Sequence, residues 1–218
     1  MVVVDIAIRR QGLSAVVFSP APKKDIEYAE YEGEKLLLDR EILARCQIKK
    51  GSELGVEDLK QLCYVSQCYR AKQRALWHLS QSDHSEKALY EKLLRKFPKK
   101  AADFAVAQMR ERGYVCDEKY ADALAKKLAL QNYSKRAALE KMYLKGIGTD
   151  LAKEALSNNN FAETEAQRVL ALLKTKYTKQ ISDDEGIKKT VAALSRKGFS
   201  FSDIKKALES LLKNGEID

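Results

Sequence analysis

The apolar positions of this chain change period once. Up to about Asp39 they favour alternation. Val2 to Ile8 alternates in part, Ser14 to Phe18 is rich in valine, and Ile26, Tyr28, Ala29 and Tyr31 suggest a further strand. Glu32-Gly33 leads into Lys35-Leu36-Leu37-Leu38, a hairpin signal, and Pro20 and Pro22 with Lys23-Lys24 mark a loop. So few strands cannot stand alone, so this sheet is expected to pack on the helices that follow. Asp39 caps a helix reaching about Arg45. After the turn at Lys50-Gly51-Ser52 a long helix runs from Val56 to about Leu79, with Leu59, Leu62, Cys63, Tyr69, Ala71, Leu76 and Leu79 as its stripe.

Helix follows helix from there. Ser85 to Lys96 is one, broken at Phe97-Pro98. The next opens at Asp103-Phe104 and closes at Gly113-Tyr114. Asp117 caps another, through Leu130, with Tyr120, Ala121, Leu124, Ala125 and Leu128 on its apolar face. Tyr133 to Leu156 reads as two short helices capped by Ser134 and Thr149. Ala138, Leu139, Met142 and Tyr143 share a face of the first, and Lys145-Gly146-Ile147 joins the two. Ser157 to Asn160 is a break. A helix with Ala166, Val169, Leu170 and Leu173 follows, then a capping box, Ser182-x-x-Glu185, before Ile187, Val191 and Leu194. Lys197-Gly198-Phe199 turns into a last helix opened by Asp203-Ile204 and continued by Leu208, Leu211 and Leu212.

The pattern repeats. Lys-Gly-apolar occurs at 145–147 and again at 197–199. Phe97 stands 50 residues before Ile147, with the Gly missing and Pro98 supplying the break. The expected fold is mostly α, with three tandem three-helix repeats forming an elongated, curved body behind a small N-terminal β segment. The divisions fall at residues 1–55, 56–116, 117–160 and 161–218.

Charge sharpens this picture. Residues 1–68 hold 10 Lys and Arg against 11 Asp and Glu, whereas residues 69–218 hold 30 against 20. The basic character belongs to the helical part. Charge alone leaves two readings open: a polyanionic partner, nucleic acid first, or a solvated Lys-rich surface. The candidate contacts are Arg70, Lys72 and Arg74; Lys92, Arg95 and Lys96; Arg110 and Arg112; Arg136, Lys141 and Lys145; and Lys188, Lys189, Arg196 and Lys197. Basic residues recur just before the turn in all three repeats. Some of them would also sit near helix C-termini, where the dipole favours cations.

Other chemistry is sparse. No apolar run approaches the ~20 residues of a membrane span. The start, apolar and then basic, runs opposite to a secretory signal, so a cytoplasmic protein is expected. Cys46, Cys63, Cys68 and Cys116 form no C-x-x-C and are expected to act as small hydrophobes. Neither His78 nor His84 sits in a catalytic or metal-ligand spacing, and His84-Ser85 reads as a helix start. Trp77 is expected as a core anchor, and most of the tyrosines, among them Tyr114, Tyr120, Tyr133 and Tyr143, as packing residues with their hydroxyls at the surface. Asp183-Asp184-Glu185 reads as a helix N-terminus rather than a metal site. There is no P-loop, Gly-rich dinucleotide turn, H-E-x-x-H or Gly-x-Ser-x-Gly, so no enzyme, cofactor or metal is expected.

Four sets of residues resemble the RecX family of RecA regulators. They are Arg74-Ala75-Leu76…His84-Ser85…Leu89…Lys92-Leu93; Arg110-Glu111-Arg112-Gly113-Tyr114…Asp117-Glu118-Lys119-Tyr120-Ala121; Leu144-Lys145-Gly146-Ile147; and Arg196-Lys197-Gly198-Phe199. The resemblance covers about residues 56 to 213. It implies three tandem three-helix repeats and a non-enzymatic protein that binds the RecA filament on single-stranded DNA and inhibits ATP hydrolysis and strand exchange. A monomer is expected. The missing Gly beside Phe97 departs from the pattern, and the resemblance does not explain the β segment. Two further readings remain: a nucleic-acid binder acting without RecA, and, more remotely, a metal-dependent hydrolase.

Overall fold

The computed structural model describes every residue except 160, 162, 163, 182 and 214–218. The chain is mostly helical with a small antiparallel sheet at its N-terminus. Packing divides it into two units, Met1–Val115 and Cys116–Asp218.

In the first unit, β1 (Val2–Ile8), β2 (Leu13–Ser19), β3 (Tyr31–Glu32) and β4 (Lys35–Asp39) form a sheet of order β1-β2-β4-β3. All pairs are antiparallel, and Val16 lies opposite both Ile6 and Leu36. The hairpin turning at Gly33 is as expected. The strand expected through Ile26 and Tyr28 is not there. Tyr28 takes φ +66, which breaks an extended chain, while Ile26 is buried in the sheet's core. Apolar side chains that anchor a loop imitate strand alternation at these positions. Asp39 caps α1 (Arg40–Arg45), its Oδ1 accepting from Glu41 N at 2.9 Å.

Helix α2 (Val56–Gln81) serves two cores in succession. Its first turns give Leu59, Leu62 and Cys63 to the sheet, where they meet Val3, Val16, Leu36, Leu38 and Ile42. Its later turns give Cys68, Ala71 and Ala75 to a second core, with Leu89 and Leu93 of α3 (Glu86–Leu94) and Ala101, Ala102, Ala105 and Met109 of α4 (Lys99–Glu111). Alanines on both α2 and α4 let the two backbones approach closely. At the handover sit two buried polar residues. Ser66 Oγ accepts from Asp39 N at 2.8 Å, and Gln67 Nε2 donates to Tyr28 O at 3.3 Å. Burial pushes the Cys63 thiol up to about 12 and also raises that of Cys68, so both act as hydrophobes. Cys46 is exposed and Cys116 half-buried.

Helix α4 starts directly after Pro98, four residues before the expected Asp103, which lies in its second turn beside an exposed Phe104. Proline fixes φ here at −57, a suitable entry for a helix.

The second unit holds α5 (Asp117–Leu130), α6 (Lys135–Leu144), α7 (Thr149–Ser157), α8 (Glu165–Thr175), α9 (Asp184–Arg196) and α10 (Phe201–Lys213). The first three enclose Ala121, Ala125, Leu128, Ala138, Met142, Ile147, Leu156 and Phe161. The last three enclose Val169, Leu173, Leu194, Phe199, Ile204 and Leu211. Cys116 and Gly148 occupy the N-caps expected of Asp117 and Thr149, a shift of one residue each. Ser134 caps α6 as expected, accepting from Ala137 N at 3.1 Å. The expected cap Ser182 and the side chain of Leu212 lie outside the described residues. Asp183 caps α9, accepting from Gly186 N at 2.6 Å. Tyr143, expected on the apolar face of α6, is exposed.

The handover on α2 yields a test. Ser66→Ala leaves the buried Asp39 N–H unpaired and is expected to cost about 1–3 kcal/mol in urea unfolding. Ser80→Ala, on the exposed surface of the same helix, is expected to stay within about 0.5 kcal/mol.

Candidate functional site

The turns that carry the basic residues are built in two ways. In the second helix triplet, Gly146 N donates to Tyr143 O and Ile147 N to Met142 O. In the third, Gly198 N donates to Ser195 O and Phe199 N to Leu194 O. Both are Schellman closures, with Gly at φ +83 and +89, a region that strains any residue with a Cβ. The first triplet lacks the glycine. There Phe97 N returns to Leu93 O at 2.9 Å, and Pro98 redirects the chain without a left-handed residue.

The sequence-predicted cations fall into two groups. Several are engaged with other groups of the protein, some of them at its exposed surface. Arg70 pairs with Glu30 beside the sheet and lies 5.9 Å from the Phe97 ring centroid. The Arg74 guanidinium lies over Trp77, 4.0 Å from its ring centroid, and its buried Nε has no hydrogen-bond partner among the described residues. Lys197 Nζ donates to Gln131 O at 2.9 Å and lies 4.3 Å from the Tyr133 centroid, while Lys141 approaches the same ring at 4.6 Å. Arg136 reaches Gly198 O at 3.5 Å. Arg110 meets Glu86 at 3.4 Å, and Lys189 meets Glu185 at 2.8 Å.

Arg95, Lys96, Arg112, Lys145, Lys188 and Arg196 are exposed. Arg95, Arg112 and Lys145 stand at the C-caps of α3, α4 and α6, where a cation also stabilises the helix dipole. Lys72 and Lys92 are half-buried.

Within the second unit the Lys197-Gly198 turn is a docking element. Ser134 N donates to Lys197 O at 2.9 Å. A Cβ on Gly198 would fall 2.5 Å from Ala137 Cβ and 2.7 Å from Ser134 Oγ. The N-terminus of α6 also receives Glu165, whose Oε1 accepts from Lys135 N at 2.6 Å. A recurring basic residue thus has different work in different copies: Lys145 is exposed, whereas the equivalent Lys197 ties two triplets together.

Trp77, expected in the core, is 48% exposed. It sits late on α2, past the last fully buried position, Ala75, with Arg74 on its ring. The signal was available in Arg74-x-x-Trp77, since residues three apart share a helix face. Its chemistry is cationic and aromatic together. Among the described residues no group of three or more His, Cys, Asp or Glu could hold a metal ion. Burial first, then Arg74 and Lys92, lowers the pKa of His78, so its neutral form is favoured in this basic surrounding.

The architecture, helix triplets in tandem behind a small sheet, defines a class of helical-repeat protein. Comparison narrows it. Residues 71–109 match the model of the first three-helix domain of RecX. A regulatory protein RecX of Clostridioides difficile (strain 630) is 30% identical over 182 residues, covering 82% of this chain and 85% of that protein. One from Streptococcus pneumoniae serotype 19F (strain G54) is 29% identical over 82% of this chain and 70% of its own. The chain belongs to the RecX family of regulatory proteins. Two crystal structures share the fold. One of a regulatory protein RecX has a TM-score of 0.57 at 19% identity, covering 95% of this chain and 98% of its own. That of RecX from Lactobacillus salivarius has a TM-score of 0.53 at 18% identity, covering 67% and 97%.

Gly198→Ala is expected to lower stability by more than the ~1–3 kcal/mol of a strained backbone alone, because the new Cβ collides with α6. Gly33→Ala, at φ +65 where the new Cβ meets no described atom within 4 Å beyond its chain neighbours, is expected to show only the backbone cost. Thermal melts of the two variants make the comparison.

Proposed function

We propose that this protein regulates RecA by binding its filament on single-stranded DNA and lowering ATP hydrolysis and strand exchange. Membership of a family of regulatory proteins is the observation that supports this most. The excess of cations in residues 69–218 supports it further. The contact residues in this reading are the outward ones, Arg95, Lys96, Arg112, Lys145, Lys188 and Arg196. Lys197 and Arg136 act by holding the second unit together, and Arg70 by holding the sheet to α2. The mechanism is occupancy rather than catalysis. Cations that follow the phosphates along a filament gain affinity from many modest contacts and counterion release. A bound chain opposes the rearrangements that turnover requires. Such a protein works in the cytoplasm, where filaments form on DNA.

Among the described residues no helix is long and apolar enough to cross a membrane.

The test is DNA-dependent ATP hydrolysis by the cognate RecA, titrated with this protein. Inhibition that saturates is expected; unchanged hydrolysis at excess protein contradicts the proposal. Charge reversal at Arg95, Arg112 and Arg196, which are exposed and away from the internal pairs, is expected to weaken inhibition while leaving the melting temperature unchanged. The salt slope of filament binding should fall by about 0.7 for each single-strand phosphate that the variant no longer neutralises.

A further inference from the structure

The first unit contains a cleft of about 660 Å³ that filament regulation leaves unexplained. Its floor is one face of α2, with Tyr69, Arg70, Gln73, Arg74 and Trp77. One wall is the start of α1, with Arg40, and the other is the Lys96-Phe97 turn. The volume lies within the ~300–1,000 Å³ of small-molecule clefts.

Its charges do not cancel. Of the acids that line it, Glu30 is paired with Arg70 and Glu41 with Arg45. Asp39 is committed to capping α1, and burial raises its pKa. Against these stand Arg40, Arg74 and Lys96, none of them in an ion pair among the described residues. Arg74 is held by stacking on Trp77 instead. The cleft therefore offers an anion site beside a half-exposed indole that already carries a guanidinium over its ring.

We propose that this cleft takes one nucleotide unit, its base joining the Trp77–Arg74 stack and its phosphate held by Arg40 and Lys96. An acidic peptide would use the cations but not the exposed indole. A duplex would use the phosphate contacts, but its bases are covered on both faces by their neighbours. An unpaired nucleotide uses both features, because every base has a π-face and stacking tolerates any sequence. Gln73, exposed on the floor, can donate to and accept from a base edge. The nucleotide comes either from a single strand or as a free monophosphate. The assignment rests on the cleft's geometry and does not depend on an action on RecA.

The chain has 1 Trp, so its fluorescence reports on this cleft directly. The full chain is titrated, with no RecA present, with a short oligothymidylate, its duplex, thymidine monophosphate and inorganic phosphate. Saturable quenching by the oligothymidylate, far stronger than by the duplex, is expected. Equal quenching by the monophosphate supports the site and identifies the free nucleotide as its ligand. Anisotropy of a labelled oligothymidylate then compares variants. Trp77→Ala is expected to bind about tenfold or more weakly. Arg40→Ala with Lys96→Ala, both exposed and safe for folding, is expected to weaken binding and flatten its salt dependence. Unchanged fluorescence with both nucleotide probes, quenching by inorganic phosphate alone, or wild-type affinity in the Arg40/Lys96 variant overturns the proposal. Because RecA is absent, failure here is separate from failure of the filament reading.

Discussion

The first unit depends on one helix satisfying two cores. A four-stranded sheet with a two-residue edge strand cannot bury enough apolar surface alone, and a three-helix unit of this size is small. Helix α2, at 26 residues, is long enough to serve both. Leu59, Leu62 and Cys63 face the sheet, and Cys68, Ala71 and Ala75 face α3 and α4. The change of partner falls at Ser66 and Gln67, whose polar groups take up the backbone of the sheet and of the Tyr28 loop. The sheet is therefore part of the first repeat's framework. Helix α1, which follows its strand β4 directly, supplies the Arg40 side of the cleft, so the fold and the proposed nucleotide site share one support.

The second unit is organised by a turn. Lys197-Gly198-Phe199 closes α9, seals its own core with Phe199, and docks on the cap of α6. Glycine is required twice at this position, for its φ and for the close approach. The equivalent Lys145-Gly146-Ile147 needs glycine for φ. In the first triplet the chain avoids both demands by omitting one residue and placing Pro98 after the bend. These two kinds of turn place Phe97, half-buried, and Ile147 and Phe199, both buried, at corresponding positions.

Much of this was legible in the residues. The helical period, the Ser85 and Ser134 caps, the Gly33 hairpin and the Gly146 and Gly198 turns follow from local rules, because each depends on neighbours in sequence. What failed depended on distant groups. Ile26 and Tyr28 looked like strand residues because a loop pinned by α2 buries apolar side chains at similar spacing. Asp103 looked like a helix start because Pro98 before two lysines gave no capping side chain. Trp77 looked like core because indoles usually are, but Leu76 and Leu79 on either side of it take the places against the second core and leave the indole off that face. Family resemblance named the regulatory class. It did not separate the exposed cations from those, such as Lys197 and Arg70, that are engaged within the fold, since that distinction lies in three-dimensional pairing.

The central claim is that the chain meets a RecA filament more tightly than either component alone. Sedimentation tests it most directly. RecA filaments are formed on long single-stranded DNA with a non-hydrolysable nucleotide, mixed with this protein at physiological salt and pelleted beside bare DNA and free RecA. The account predicts that the protein pellets with the filament at a saturating ratio and much less with bare DNA. Protein that stays in the supernatant with filaments, or pellets equally with bare DNA, would contradict it.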